Sequence, residues 1–364
     1  MAVSATRNEV LAAPERGVRS FAPVRTWLYV LAALVVAMVA IGGATRLTGS
    51  GLSITEWKPV TGAIPPLSES AWLAEFEKYR SSPQYRLLNQ GMSLDEFRFI
   101  YWWEWAHRQL GRFLGLAFFA PLLWFWAKGY LSRGLGLALL ATGALGGLQA
   151  AVGWIMVASG LEPGMTAVAP IKLTLHLLIA TAILAILLWL ATGLRDQRPP
   201  SPTRPLPQAG RAGARFLLGL IFLQIALGGL VAGSKAGLAY NTWPLMDGRL
   251  APPLAGLFAV SPWIENFVDN VALVQFNHRI VAYAVVGFAL WHAFAVRTGD
   301  PATARRAAIV AVLAVAQMAL GIVTLLLAVP LWAGLAHQLL AMALLGTSVV
   351  HLRLFAHPAP LWSH

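Results

Sequence analysis

The sequence predicts an all-α membrane protein with eight transmembrane helices arranged as two parallel-repeat four-helix bundles. Three observations carry that expectation. The 364 residues are 58% hydrophobic and only 12% charged, with a mean hydropathy of +0.65, a balance far from that of soluble domains. Several apolar runs reach about 18 to 25 residues, the length that a helix rising 1.5 Å per residue needs to cross about 30 Å of hydrocarbon. A set of motifs also recurs at fixed spacing in the second half of the chain.

Apolar windows place the spans near residues 27–45, 105–127, 135–158, 171–193, 215–233, 275–296, 307–329 and 333–354. The first run is too long for a cleaved signal peptide and is followed by Arg46 instead of a small-residue cleavage site, so it is read as a retained helix. Arg7, Arg16, Arg19 and Arg25 precede it; Lys128 and Arg133, then Arg195 to Arg215, then Arg297, Arg305 and Arg306 fill alternate connections. Residues 159–170 and 330–332 contain no Lys or Arg. By the positive-inside rule both termini are cytoplasmic, and 46–104 and 234–273 are external. No Arg- and Ser-rich, acid-poor presequence is evident, which favours a bacterial inner membrane. Within the first external loop, Trp72, Phe76 and Tyr79 recur at helical intervals and predict a packed or interfacial face. Ser93 and Glu96 form a capping-box pattern that starts the second spanning helix well before its apolar part.

The repeat divides the chain. Gly42-Gly43, Gly51-Leu52 and Trp57 return as Gly228-Gly229, Gly237-Leu238 and Trp243, all offset by 186 residues. His107-Arg108 matches His278-Arg279, Gln149 to Gly153 matches Gln317 to Gly321, and His176 matches His337. The expected parts are a cytoplasmic tail (1–26), a first four-helix half (27–193), a cytoplasmic Pro/Arg linker (194–214), a second half (215–354) and a cytoplasmic tail (355–364). Pro199, Pro200, Pro202, Pro205 and Pro207 mark the linker. An even number of spans per half makes the repeats parallel, about an axis along the membrane normal.

The chain has no cysteine, which excludes disulfides, thiolate zinc sites, iron–sulfur clusters and covalent haem attachment through C-x-x-C-H. Metal chemistry is left to His, carboxylates and Met. The net charge of +12 falls in short loops, as topology requires, so the basic balance points to membrane lipid and not to nucleic acid.

Four of the eight histidines, His107, His176, His278 and His337, fall near the starts of spans two, four, six and eight. Those spans run in the same direction, so the imidazoles share one layer near the external face. A single intramembrane His is more often a packing residue than a ligand; four at duplicated positions and equal depth reverse the odds. Two imidazoles from facing helices in each half suit bis-axial ligation of one haem iron. Four residues beyond each His stand Gly111, Ala180, Ala282 and Ala341, small enough for a porphyrin to lie alongside. His292, His351, His357 and His364 fall near cytoplasmic ends or in the tail and are expected to be solvated or interfacial. Arg108, Arg112 and Arg279 would meet haem propionates, lipid phosphates or loop acids. Glu104 lies three residues before His107, on the same helix face, whereas the second half has Gln275 at that place. One half therefore carries an ionisable group beside its histidine, and Gln275→Glu is expected to be tolerated far better than Glu104→Gln.

The run GGATRLTGSGLSITEWKPVTGAIPP, the segments EWAHRQLGR, NTWPLMDG and QFNHR, and the downstream His176 and His337 resemble the haem A synthase family over about residues 27–354. The chain is similar to the alphaproteobacterial and mitochondrial form, since the cysteine pair found in the external loop of other bacterial members is absent. The resemblance implies oxidation of the C8 methyl of haem O to a formyl group by successive hydroxylations, giving haem A for terminal oxidases. It implies that His107 and His176 hold the substrate haem, that His278 and His337 hold a haem b relaying electrons, and that Glu104 is important for activity. It further implies a haem O synthase and an electron acceptor as partners; a homo-oligomer is compatible with it. Two rivals stand beside it. A di-haem b-type cytochrome would favour haems stacked across the membrane, and a parallel-repeat transporter would use the histidines as proton relays.

Overall fold

The computed structural model describes residues 20–194 and 208–355. Its helices are α1 (Ala22–Leu47), α2 (Glu69–Arg80), α3 (Pro83–Leu88), α4 (Leu94–Ala127), α5 (Arg133–Gly160), α6 (Pro170–Gly193), α7 (Gln208–Gly233), α8 (Leu254–Leu257), α9 (Asn266–Asp269), α10 (Val271–Val296), α11 (Pro301–Leu326) and α12 (Leu331–Phe355). Among the described residues there is no β-strand, only an isolated bridge between Met246 and Arg249. Eight helices, α1, α4, α5, α6, α7, α10, α11 and α12, are long and apolar enough to cross a bilayer. The chain is a multi-pass α-helical membrane protein.

Local chemistry sets the helix starts. Ser93 accepts from the Glu96 backbone N–H while Glu96 accepts from the Ser93 N–H at 2.8 Å, so the capping box begins α4 at Leu94, well ahead of its apolar part. Asp300 accepts from the Thr303 N–H at 2.8 Å and Pro301 occupies the first turn of α11. Asn270 caps α10 through the N–H groups of Ala272 and Leu273. Several ends differ from the hydropathy windows. Helix α7 already runs from Gln208, so residues 208–214 are helix and not linker; Arg211 and Arg215 lower the hydropathy there without breaking the backbone. The expected linker's residues 195–207, like 1–19 and the tail from 356, lie outside the described residues. Helix α11 stops at Leu326 and not near 329, because Ala328 and Val329 take left-handed φ values of 54° and 58° before Pro330.

Helix α1 packs on α4 and α6, and α5 packs on both of those; α7 packs on α10 and α12, and α11 packs on both. The two sets meet where α6 touches α7 and α12 and where α1 touches α12. Leu28, Leu31, Leu184, Leu187, Leu217, Ile221 and Leu345 form one continuous buried core through that seam. The first loop folds over the end of α4. Trp72, Phe76 and Tyr79 of α2 pack on Phe97 and Tyr101, with Trp72 edge-on to Tyr101 at 4.9 Å and Phe76 stacked on Phe97 at 5.0 Å. The Tyr79 hydroxyl donates to Gln84 at 2.9 Å, and Gln84 in turn donates to the Gly49 carbonyl at 3.2 Å. This chain of contacts fixes the segment that carries Ser53 and Ile54.

Candidate functional site

His107 on α4 lies within electrostatic reach of His176 on α6, and His278 on α10 within reach of His337 on α12. Each pair spans two helices that share both neighbours, so the rings converge inside a helical ring. Each imidazole is backed by a glycine. A Cβ added at Gly42 would lie 3.0 Å from His107 Nε2, and one at Gly228 would lie 3.2 Å from His278 Cε1. At Gly153 and Gly321 a Cβ would fall 2.8 Å from Cε1 of His176 and His337. A side chain at Gly153 or Gly321 would force the facing ring to shift, and one at Gly42 or Gly228 would require it to give by a few tenths of an ångström. Buried polar atoms near the rings are left without partners: His176 Nδ1 and the Oε1 atoms of Gln149, Gln224 and Gln317. Gln224 Nε2 lies 3.1 Å from His278 Nδ1, and Gln317 Nε2 lies 3.2 Å from His337 Nδ1. Paired buried imidazoles, glycine backing and unpartnered buried polar atoms make a site whose histidines could hold a haem by its iron.

Beside His107, Glu104 is 3% exposed. Its Oε2 accepts from the Ser53 hydroxyl and the Ile54 backbone N–H, both at 2.8 Å. Its Oε1 accepts from Arg108 Nη2 at 2.6 Å and Nε at 3.1 Å. Arg108 also donates to the carbonyls of Ile54 at 2.7 Å and Glu56 at 2.9 Å. The second half rebuilds this cage with inverted polarity. Gln275, also 3% exposed, donates to the carbonyls of Ala236 at 2.7 Å and Ala239, and accepts from Arg279 Nη2 at 2.9 Å. Arg279 donates to the Tyr240 carbonyl at 2.7 Å, as Arg108 does to Ile54. Ala239 and Tyr240 are the repeat partners of Ser53 and Ile54. Backbone N–H and hydroxyl donors face residue 104, and carbonyl acceptors face residue 275. A carboxylate at 275 would meet the two carbonyl oxygens that now accept from the Gln275 amide.

Arg108 and Arg279, expected to meet haem propionates, lipid phosphates or loop acids, donate to loop carbonyls and to residues 104 and 275. Arg279 Nε alone has no partner. Arg112 likewise binds the carbonyls of Pro59 at 2.8 Å and Lys58 at 3.0 Å. A further correction concerns His292 and His351, expected to be solvated or interfacial. Both are 1% exposed, and their Nε2 atoms meet at 3.0 Å. Nearness to a helix end sets depth, whereas which face turns inward is set by packing. His357 and His364 lie outside the described residues. The sequence reading missed Gln149, Gln224 and Gln317 and the backing role of Gly153 and Gly321; the repeat Gln149–Gly153 and Gln317–Gly321 was the available signal.

Residues 25–349 match the COX15-CtaA family, described as "Cytochrome oxidase assembly protein". The chain is 65% identical over 339 residues to a protein of Methylobacterium radiotolerans named Heme A synthase, covering 93% of this chain and 91% of that one. It is 64% identical over 356 residues to the protein so named in Methylobacterium sp. strain 4-46, covering 96% and 98%. A Heme A synthase of Azorhizobium caulinodans is 50% identical over 334 residues, covering 92% and 94%. A match across this span, together with identity at this level over nine-tenths of both chains, leaves one assignment: the chain belongs to the COX15-CtaA family of cytochrome oxidase assembly proteins.

Proposed function

We propose that the chain oxidises the C8 methyl of haem O to a formyl group, producing haem A, and that the oxidation takes place in its first half. The observation that carries this is the exchange between two otherwise matched cages: a buried, ionisable Glu104 beside His107 and a neutral Gln275 beside His278. His107 and His176 hold the substrate by its iron, with Gly42 and Gly153 allowing the rings to approach each other's side of the bundle. Haem O presents the methyl to be oxidised. Ser53, the Ile54 N–H and Arg108 hold the Glu104 side chain in one orientation through their hydrogen bonds. A carboxylate so held can take a proton or stabilise positive charge developing at the substrate edge; the amide of Gln275 can only hydrogen-bond.

In this reading His278 and His337 hold a resident haem b, whose chemistry is to pass electrons away from the first half, and the free Nε of Arg279 is available to one of its propionates. The parts run as a catalytic half (27–193) and a relay half (215–354), both with their histidine layer on the external side of a bacterial inner membrane and both termini cytoplasmic. Haem O comes from its membrane synthase, and the electrons leave to a separate acceptor. The test is production of the chain with a haem O synthase in cells that lack both haem A and its synthase, followed by pigment extraction and chromatography. Haem A is expected. Recovery of only haems B and O from a folded, haem-loaded protein would assign the chain to a di-haem electron carrier instead.

A further inference from the structure

We propose that a gap between α4 and α5 holds the isoprenoid chain of the substrate, the part of haem O that haem B lacks, while His107 and His176 hold its iron. The inference rests on the reading of the first half as the haem O site. Each half is a ring of four helices. In the second half α10 and α11 pack closely along the ring, whereas their counterparts α4 and α5 stand largely apart, although α1–α4, α1–α6 and α5–α6 are closely packed.

Helices α4 and α5 meet at both ends of the gap. Away from the long loop, Phe118 and Phe119 lie against Gly143, where an added Cβ would fall 2.9 Å and 3.1 Å from their rings, and Trp126 lies against Gly136. Toward the long loop, the Arg108 guanidinium of α4 lies 5.9 Å from the ring centre of Trp154 on α5, and Trp57 of the loop packs on Trp154 at 5.2 Å. Phe119 follows Arg108 by eleven residues and Trp154 follows Gly143 by eleven, so the opening is about 16 Å tall on either helix. Within it, Gly115 stands seven residues after Arg108 and four before Phe119, and Gly147 stands four after Gly143 and seven before Trp154. These helical spacings put both glycines on the facing sides. A Cβ built at Gly115, Gly146 or Gly147 would meet nothing within 4 Å. Facing glycines in membrane helices serve to let two backbones close on each other; here they border open space.

The second half is filled at the same place. The offsets that carry His107 to His278 and Gln149 to Gln317 carry Gly115 to Val286, and Gly146 and Gly147 to Ala314 and Val315. Val286 packs on the core and Ala314 is buried in it. The opening also adjoins the histidine layer: Arg108 follows His107, and Trp154 follows Gly153, which backs His176. Gln149, two residues beyond Gly147, keeps its Oε1 buried without a partner, as His176 does its Nδ1. No charged residue occurs in 113–127 of α4 or 134–160 of α5, so the lining suits an alkyl chain and not a propionate.

The experiment titrates haem O and haem B into the intact purified protein and follows binding by absorbance, the signal lost in His107→Ala marking the first site. Gly115→Val combined with Gly147→Val copies the second half's residues into the gap. The affinity for haem O is expected to fall by about tenfold or more, the effect of expelling about two methylene groups, with that for haem B unchanged. An equal fall for both haems, or no fall for either, would overturn the inference and make the gap a seam filled by lipid. Gly147→Cys in this cysteine-free chain gives a second reading without a bulky side chain: haem O is expected to slow its alkylation by N-ethylmaleimide, and haem B to leave the rate unaltered. Equal rates with the two haems would also overturn the inference. Haem O binding undiminished in His107→Ala would instead remove the substrate-site reading on which the inference rests.

Discussion

Gly321→Ala tests whether the imidazole layer is built for a ligand held to tight tolerance. The added Cβ falls 2.8 Å from His337 Cε1, against an ordinary carbon–carbon contact of about 3.5 to 4.0 Å. An overlap of at least about 0.7 Å must be relieved by moving the ring, because Gly321 sits on α11 and its backbone is fixed by the helix. Metal–ligand distances tolerate about 0.2 Å, so the displaced imidazole cannot keep its bond unchanged. Overpacking of this kind costs about 1 to 3 kcal/mol. Borne by the liganded state, that is about 5- to 150-fold in haem affinity, at about 1.4 kcal/mol per tenfold. Gly153→Ala meets His176 at the same 2.8 Å and is expected to weaken the first site while leaving the second intact. Gly287→Ala, which meets nothing within 4 Å, is the control. Haem titration of the purified proteins by absorbance measures all three. Affinity in Gly321→Ala equal to that in Gly287→Ala would refute the reasoning.

Further outcomes follow from the two cages. Gln275→Glu sets a carboxylate against the Ala236 and Ala239 carbonyls and leaves acceptors facing acceptors; it should lower stability by about 1 to 3 kcal/mol, read as an earlier thermal transition of the purified protein, and an unchanged transition would contradict the assigned polarity. Ser53→Ala deletes one charge-assisted hydrogen bond to Glu104, so haem A formation should fall by about tenfold with haem content unchanged; wild-type turnover would remove Ser53 from the positioning of Glu104. In this cysteine-free chain, a cysteine at the exposed Ser81 should be labelled from outside intact cells by an impermeant reagent and one at Ser201 should not; the reverse pattern would invert the topology.

The fold was legible where one physical signal dominated. Eight apolar runs gave eight helices, and the Ser93–Glu96 pair marked the start of α4 because a capping box satisfies backbone groups by itself. The exchange of Glu104 for Gln275 was legible because the repeat supplied an internal alignment. What tertiary packing decides was not legible. Sequence could not tell that Arg108 and Arg279 would turn to loop carbonyls, since a loop without regular pairing shows its free acceptors only once folded. The burial of His292 and His351 is not legible from nearness to a helix end, which sets depth but not the face that turns inward. Gly153 and Gly321 were visible as repeated letters, but their task emerges only when the facing ring is placed.

The most direct test of the central claim is haem A formation by Glu104→Gln. Replacing the carboxylate with an amide of the same shape keeps a hydrogen bond to either Arg108 or Ser53 and removes the charge. The account predicts normal membrane insertion, normal haem O binding at His107 and His176, and a rate of haem A formation lowered by about 10²- to 10⁴-fold, the range for loss of a positioned acid–base group. Extraction and chromatography of pigments from membranes supplied with haem O give both quantities in one sample. Haem A formed at the wild-type rate by the Glu104→Gln protein would contradict the account and leave Glu104 as the partner that holds Arg108 in place.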